Sequence, residues 1–158
     1  MASYRLRNCH ISFPNVAIIK GENFIILKIL LDTNFLLIPA QFRIDIFQEI
    51  DRIITQKYDL IIIPHIINEL NEIAKKSKKY ESEARIALEL AKKCQIVEID
   101  PPIQGIKEVD EVILQSAINH KWIVATNDAA LRKKLRSRQI PTITLRNKAH
   151  LTLEGDIP

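Results

Sequence analysis

Four carboxylic acids lie where the predicted elements of this chain could bring them to one edge of a sheet. Asp32 directly follows Ile29–Leu31, a short apolar run typical of a buried strand. Glu69 lies on a predicted helix, and Asp110 and Asp128 lie at the starts of two later ones. Open α/β sheets place their sites just beyond the carboxyl ends of parallel strands. The question is therefore whether these carboxylates share one site.

Each of these acids, taken alone, also has an ordinary structural explanation. Asp32 and Asp128 suit the N-cap of a helix, where an aspartate accepts hydrogen bonds from backbone N–H groups. Asp110 stands in a first helical turn with other acids, where negative charge complements the helix dipole. Glu69 shares the apolar face of its helix, so it needs a partner, which is either a metal ion or a Lys or Arg side chain.

Together, the four acids favour a metal site. Converging carboxylates repel one another when ionised, and a divalent cation relieves that repulsion. All-oxygen ligands suit Mg²⁺ or Mn²⁺. Zinc is not indicated, because the four histidines and two cysteines are scattered without ligand spacing. An acidic, metal-filled pocket on a basic protein suits phosphodiester hydrolysis, since metal ions can hold the attacking and leaving oxygens.

Strands and helices alternate along the chain and would position these acids. Four further strands are predicted, at Asp59–Ile63, Ile96–Ile99, Trp122–Ala125 and Thr142–Leu145. Apolar residues at helical spacing fill the segments between them, and the last dozen residues read as a polar tail. This order predicts an α/β fold, a three-layer α/β/α sandwich around a central, mainly parallel five-stranded sheet.

Length and composition favour one domain. The 158 residues are 47% apolar, which is enough for a single core. The three glycines are too dispersed for a Walker A loop or a dinucleotide fingerprint. We expect an extension of uncertain structure over residues 1–24, the domain over 25–153 and a tail over 154–158. A β-hairpin in the extension would compete with the sheet for the edges of the first strand.

Charge and cysteine content bear on partners and location. The net charge of +4 leans weakly toward a polyanionic partner. No apolar run is long enough to span a membrane, and two cysteines are too few for a disulfide scaffold. A cytoplasmic location is therefore expected.

Two basic clusters are candidates for contact with nucleic-acid phosphates. The helix predicted after Asp128 turns Leu131 and Leu135 inward and carries five cations. These are Arg132, Lys133, Lys134, Arg136 and Arg138. Charge runs are often only solvated, but here no interleaved acid offers i,i+4 pairing, which favours RNA contact. A second group, with Lys75 and Lys76, is expected to be half solvent-facing.

At this point the motifs resemble those of the PIN-domain nucleases. The matching motifs are Asp-Thr-Asn at 32–34, Ile-Ile-Asn-Glu-Leu around Glu69, Asp110 opening a helix, and Thr-Asn-Asp at 126–128. The 18-residue step from Asp110 to Asp128 is also typical of the family. The resemblance covers the chain from about Ile29 to Leu153, and within the family it is strongest to the endonucleases of small-subunit ribosomal RNA processing and their archaeal relatives.

The resemblance implies a metal-dependent endoribonuclease that cuts single-stranded RNA and leaves 5′-phosphate and 3′-hydroxyl ends. By motif position, the catalytic and metal-binding acids would be Asp32, Glu69, Asp110 and Asp128, with Mg²⁺ or Mn²⁺ as cofactor. Asn34 and Thr126 would support them by hydrogen bonding. Glu111 stands where relatives often have a second Asp, so which of the neighbouring acids, 110 or 111, reaches the metal is left open.

The expected partners follow from the same resemblance. They are single-stranded or precursor ribosomal RNA, ribosome-assembly proteins and a second copy of the chain, since dimers are common in the family. Two alternatives stay open: a toxin-type PIN ribonuclease of a toxin–antitoxin pair, and a non-catalytic RNA-binding PIN scaffold. The intact acids argue against the scaffold, because degenerate PIN domains usually lose one or more of them.

Overall fold

The structure is a computed structural model that describes residues 16–19, 22–99 and 108–158, with side chains from residue 25 onward. The strands of this part are β1 (Val16–Ile19), β2 (Glu22–Ile25), β3 (Leu27–Leu31), β4 (Tyr58–Ile62), β5 (Gln95–Ile96), β6 (Ile123–Ala125), β7 (Thr142–Arg146) and β8 (His150–Glu154). The helices are α1 (Thr33–Leu36), α2 (Ile38–Phe42), α3 (Ile46–Ile53), α4 (Pro64–Ala74), α5 (Lys78–Ala91), α6 (Val109–His120) and α7 (Ala129–Ser137).

The main sheet confirms the predicted fold class. Its order is β5-β4-β3-β6-β7-β8, and all neighbours pair in parallel except β7 and β8, which are antiparallel. This sheet has six strands rather than the predicted five, because residues expected in a polar tail form β8. The sequence His-Leu-Thr-Leu-Glu of β8 alternates polar and apolar residues, as a strand with one buried face does, and Leu151 is fully buried.

The predicted conflict between an N-terminal hairpin and the sheet is wrong. β1 and β2 pair antiparallel in a separate two-stranded sheet. β2 ends at Ile25 and β3 begins at Leu27, so the hairpin leaves β3 free to pair with β4 on one edge and β6 on the other. Residues 1–15 and 20–21 of the expected extension lie outside the described residues, and the proposed domain boundaries stay a prediction.

The core is centred on β3, whose position explains why its sequence is almost entirely apolar. Ile29, Leu30 and Leu31 are fully buried, as befits a central parallel strand covered on both faces. Of the helices around the sheet, α1, α2, α4 and α5 pack together, α6 packs with α7, and α3 packs against β8. Truncating a core side chain such as Leu30 to Ala would cost about 2–5 kcal/mol. This packing holds the carboxyl ends of β3 and β6 side by side.

None of the described helices is both long and apolar enough to cross a lipid bilayer.

Candidate active site

Asp32 lies at the carboxyl end of β3 and is almost completely buried, with 3% of its surface exposed. Its backbone N–H donates to the carbonyl oxygen of Ala125 at 2.9 Å, which extends the pairing of β3 with β6 up to the aspartate. Its Oδ1 accepts from the Thr33 N–H at 2.7 Å, and its Oδ2 accepts from the Thr126 hydroxyl at 2.8 Å. Asp32 is thus the N-cap of α1 and is also tied to the end of the neighbouring strand.

The environment of Asp32 disfavours its charged form. Burial raises the pKa of Asp32 to about 6, and the negative charges of Asp110 and Glu69 add to the rise. The hydrogen bonds from Thr126 and from the Thr33 N–H act in the opposite direction, because they stabilise the carboxylate. A buried acid whose charge is only partly compensated is a place where a cation would bind favourably.

Glu69 is half-buried on α4 and is held by a hydroxyl. Thr33 Oγ1 donates to Glu69 Oε2 at 2.7 Å, and Thr33 is itself buried. The ion pairs within the described residues include none to Glu69, so the alternative of a salt bridge to Lys or Arg has no support there. Glu69 therefore faces the other acids with a hydrogen-bond donor, not a cation, as its partner.

The predicted support of the acids by Asn34 stays a prediction. Asn34 is exposed, and its side chain makes no hydrogen bond to the part of the chain that the structure describes. Because α1 begins at Thr33, consecutive side chains point about 100° apart around the helix. That single step turns Thr33 toward Glu69 and Asn34 toward solvent. Thr33 was not identified from the sequence, although it is the middle residue of the Asp-Thr-Asn motif. Nothing in the sequence favours Thr33 over Asn34 as the partner of Glu69 until the first residue of α1 is known.

Thr126 connects two of the acids. Its hydroxyl donates to Asp32 Oδ2 and accepts from the backbone N–H of Asp128 at 3.1 Å. Asp128 in turn is the N-cap of α7, where its Oδ1 accepts from the Leu131 N–H at 2.7 Å. The loop between β6 and α7 is therefore fixed by side-chain hydrogen bonds at both of its ends.

Asp110, in the first turn of α6, lies within the electric field of the other acids. Burial raises its pKa, and the charges of Asp128, Glu69 and Glu108 raise it further, while the charge of Lys134 lowers it. The neighbouring acid Glu111 is engaged on its own helix, where its Oε1 accepts from the amide of Gln115 at 3.0 Å. Of the two adjacent acids, Asp110 is thus the one that interacts electrostatically with the other carboxylates.

Asp32, Glu69, Asp110 and Asp128, hereafter the acid cluster, come from four segments that meet at the carboxyl edge of the sheet. Their oxygen donors fit Mg²⁺ or Mn²⁺ chemically, and the raised pKa of Asp32 marks charge that a cation could neutralise. Among the described residues, however, no three His, Cys, Asp or Glu side chains are arranged so that they could hold a metal ion as they stand. Metal binding would require the carboxylates to close around the ion.

The basic helix α7 divides into two flanks on either side of its buried residues Leu131 and Leu135. Lys134 lies near the acid cluster, since its charge lowers the pKa of Asp110. On the other flank, Arg136 Nη2 donates to Glu154 Oε2 at 2.5 Å. The partner of Arg136 is thus an acid of β8 and not an interleaved acid of the helix itself.

The remaining predicted RNA-binding cations are at the surface. Lys133 is exposed on α7, Arg138 is exposed just after it, and Arg132 is partly buried. Lys75 pairs with Glu72 at 2.6 Å and Lys76 is exposed just after α4. Exposed ion pairs such as Lys75–Glu72 contribute little to stability, so Lys75 could leave Glu72 and bind a phosphate at little cost in free energy.

An open groove of about 730 Å³ lies at the opposite edge of the sheet, where β4 begins. Asp51, Lys57, Tyr58 and Lys93 are among the residues that line it, and it includes no residue of the acid cluster. The candidate site is therefore defined by the converging carboxylates and not by this groove.

A mainly parallel sheet with buried and half-buried acids gathered at its carboxyl edge defines the class: an α/β protein with an acidic candidate site. A family model described as "PIN like domain" matches residues 29–148. The chain belongs to the PIN-like domain family, and the resemblance to the PIN-domain nucleases is confirmed.

Relatives and solved structures agree with this assignment. The chain is 32% identical over 133 residues to Ribonuclease VapC4 of Methanocaldococcus jannaschii. This match covers 81% of the chain and 97% of that protein. The chain is also 32% identical over 119 residues to the rRNA-processing protein FCF1 of Saccharomyces cerevisiae. This match covers 75% of the chain and 58% of that protein.

Two solved structures share the fold. The PIN domain endonuclease Utp24 matches with a TM-score of 0.64 and 26% identity, over 82% of this chain and 92% of that one. VapBC-1 from nontypeable Haemophilus influenzae matches with a TM-score of 0.53 over 70% of this chain and 94% of that one. Its identity of 17% makes that likeness one of fold alone.

Proposed function

We propose that this protein is a divalent-metal-dependent endoribonuclease. The observation that carries the proposal is Asp32, a buried carboxylate whose pKa is raised to about 6 and which lies within the field of Glu69 and Asp110. A buried negative charge of this kind destabilises the fold unless a bound ligand neutralises it. Acids with strongly shifted pKa values cluster at functional sites. The ribonuclease and endonuclease names of the relatives support the same conclusion.

In this proposal the acid cluster is both the metal-binding and the catalytic set. Bound Mg²⁺ or Mn²⁺ would neutralise the carboxylates, activate water and stabilise charge on the phosphate. Thr126 keeps Asp32 and the loop of Asp128 in place, and Asp110 rather than Glu111 completes the set. Lys134, next to the acids, would hold a flanking phosphate of the RNA, and the other cations of α7 would extend that contact.

Ribosomal RNA is the proposed substrate class. The support is the relation to a protein named for rRNA processing, although this chain spans 58% of it. Single-stranded or precursor ribosomal RNA, ribosome-assembly proteins and a second copy of the chain are the corresponding partners, in the cytoplasm. A toxin-type ribonuclease is the second candidate, because the relative that the match covers over 97% of its length is named Ribonuclease VapC4, a name that does not mention rRNA processing.

The test is cleavage of single-stranded RNA and precursor ribosomal RNA in Mn²⁺, in Mg²⁺ and in EDTA. Wild type should cut only with metal, and Asp32→Asn should be inactive. Asp156→Asn, which alters an exposed acid beyond β8, is the matched control and should cut normally. Defined cuts in precursor ribosomal RNA support processing, while growth arrest on expression that Asp32→Asn abolishes supports a toxin. If wild type binds RNA but is as inert as Asp32→Asn, the protein is a scaffold.

A further inference from the structure

Thr33 contacts two acids of the cluster at once. Its backbone N–H donates to Asp32 Oδ1, and its hydroxyl donates to Glu69 Oε2 across 36 residues of sequence. Only 2% of Thr33 is exposed, so the hydroxyl is shielded from water and its hydrogen bond to Glu69 is difficult to replace. The contact joins the first residue of α1 to the middle of α4, so it links the segments that carry Asp32 and Glu69.

The bond restrains a side chain that otherwise has several rotamers. Glu69 has no ion-pair partner in the described residues, and its Oε2 is the oxygen that the threonine hydroxyl occupies. The other oxygen, Oε1, accepts no hydrogen bond from the described part of the chain, which leaves it available to a ligand. Carboxylates that bind metal are commonly held by such outer hydrogen bonds, which fix their orientation.

We propose that Thr33 is a positioning residue that orients the Glu69 carboxylate toward the divalent cation. The inference rests on the proposed metal-dependent function and adds a residue to it. Because the side chain of Thr33 bonds only to Glu69 among the described residues, its contribution to metal affinity should disappear when Glu69 can no longer be a charged ligand. Its hydroxyl, and not its methyl group, should carry the effect.

The experiment is a double-mutant cycle on Mn²⁺ affinity, measured by calorimetry on the full chain without RNA. Its variants are Thr33→Val, Glu69→Gln and the pair together, with Thr33→Ser as the rescue and Thr33→Ala as a second variant should valine disturb folding. The matched control is Thr142→Val, which removes another buried threonine hydroxyl, one that donates to the Ile140 carbonyl outside the cluster. Metal-free thermal unfolding is recorded for every variant.

Thr33→Val should weaken Mn²⁺ binding by about 10-fold, the lower end of the range for outer-shell substitutions, and Thr33→Ser should restore it to within about 3-fold. In the Glu69→Gln background, Thr33→Val should add no further loss. An equal loss in both backgrounds, or wild-type affinity in Thr33→Val and Thr33→Ala, overturns the proposal. So does a comparable loss in Thr142→Val, because the effect would then be general destabilisation.

RNA cleavage by the same proteins separates this proposal from the one it rests on. A wild type that binds Mn²⁺ but does not cleave RNA refutes the nuclease, while the binding cycle still decides the role of Thr33. A wild type that binds no Mn²⁺ overturns both proposals.

Discussion

Replacing Asp32 with asparagine should make the metal-free protein more stable at neutral pH. The pKa of this carboxyl is raised from 3.8 to about 6, chiefly by burial. Each pKa unit corresponds to about 1.4 kcal/mol, so ionised Asp32 destabilises the fold by roughly 3 kcal/mol. The asparagine amide would carry no charge and could still accept from the Thr33 N–H, but it would disturb the bond with Thr126, worth about 1 kcal/mol. The expected net gain is about 1–3 kcal/mol.

The gain should depend on pH with a definite sign. Because the folded-state pKa of Asp32 is raised, the folded protein keeps a proton that the unfolded chain has already lost. The stability of wild type therefore falls as pH rises from about 4 to about 6, and the penalty is complete above that range. Asp32→Asn removes this group from the titration, so its advantage should be absent near pH 4 and full above pH 6.

Denaturant unfolding in EDTA between pH 4 and pH 8 would measure this difference, with Asp156→Asn as the exposed control. At pH 7.5, a gain of 2 kcal/mol would raise the melting temperature by about 4–8 °C in a domain of this size. Adding Mn²⁺ should stabilise wild type more than Asp32→Asn, because the asparagine amide takes one of the four charged ligands from the acid cluster. Destabilisation of Asp32→Asn by the same amount at every pH would refute a burial penalty on the Asp32 charge.

Three further variants test separate contacts. Thr126→Val should lower the cleavage rate by about 10–100-fold with little change in RNA affinity, measured by kinetics and binding, because the hydroxyl orients a proposed metal ligand. Lys134→Gln should weaken RNA binding and reduce the salt-dependence slope by about 0.7, whereas Lys92→Gln, which precedes β5 at the opposite edge, should leave both unchanged in a filter-binding titration. Glu49→Gln should lower stability by about 1–2 kcal/mol in denaturant, because one oxygen of the carboxylate becomes an amide nitrogen that cannot accept its share of the bonds from Arg52 and the Leu151 N–H. Since the pKa of Glu49 is lowered to about 2, chiefly by its hydrogen bond from an arginine, that contribution should be lost as pH falls from about 4.5 to about 2.

The acid cluster could be predicted from the sequence because it depends on topology. Asp32 follows a central strand and Asp128 follows its parallel neighbour, and parallel strands deliver the residues after them to the same edge. Such a prediction requires only that the strands and their direction be right. It tolerates errors of one or two residues at element ends.

Features that depend on the phase of a helix or on distant pairing could not be predicted in this way. Choosing between Thr33 and Asn34 requires knowing that α1 begins at residue 33, since a shift of one residue exchanges their directions. The ion pair of Arg136 with Glu154 requires β8, whose five residues carry only two apolar side chains, too weak a signal to separate a strand from a tail.

The capping and metal-binding interpretations of Asp32 are compatible. Capping uses Oδ1, and the Thr126 hydroxyl uses Oδ2, but each carboxylate oxygen can accept more than one interaction. The two hydrogen bonds fix the plane of the carboxylate before any ion binds. The Asp32 side chain therefore loses its conformational entropy on folding and not on metal binding. Asp128 is held in the same way through α7, whereas Glu69 lies inside a helix, where capping is impossible. A hydroxyl from another element is then the remaining means of fixing its carboxylate, and Thr33 occupies that position.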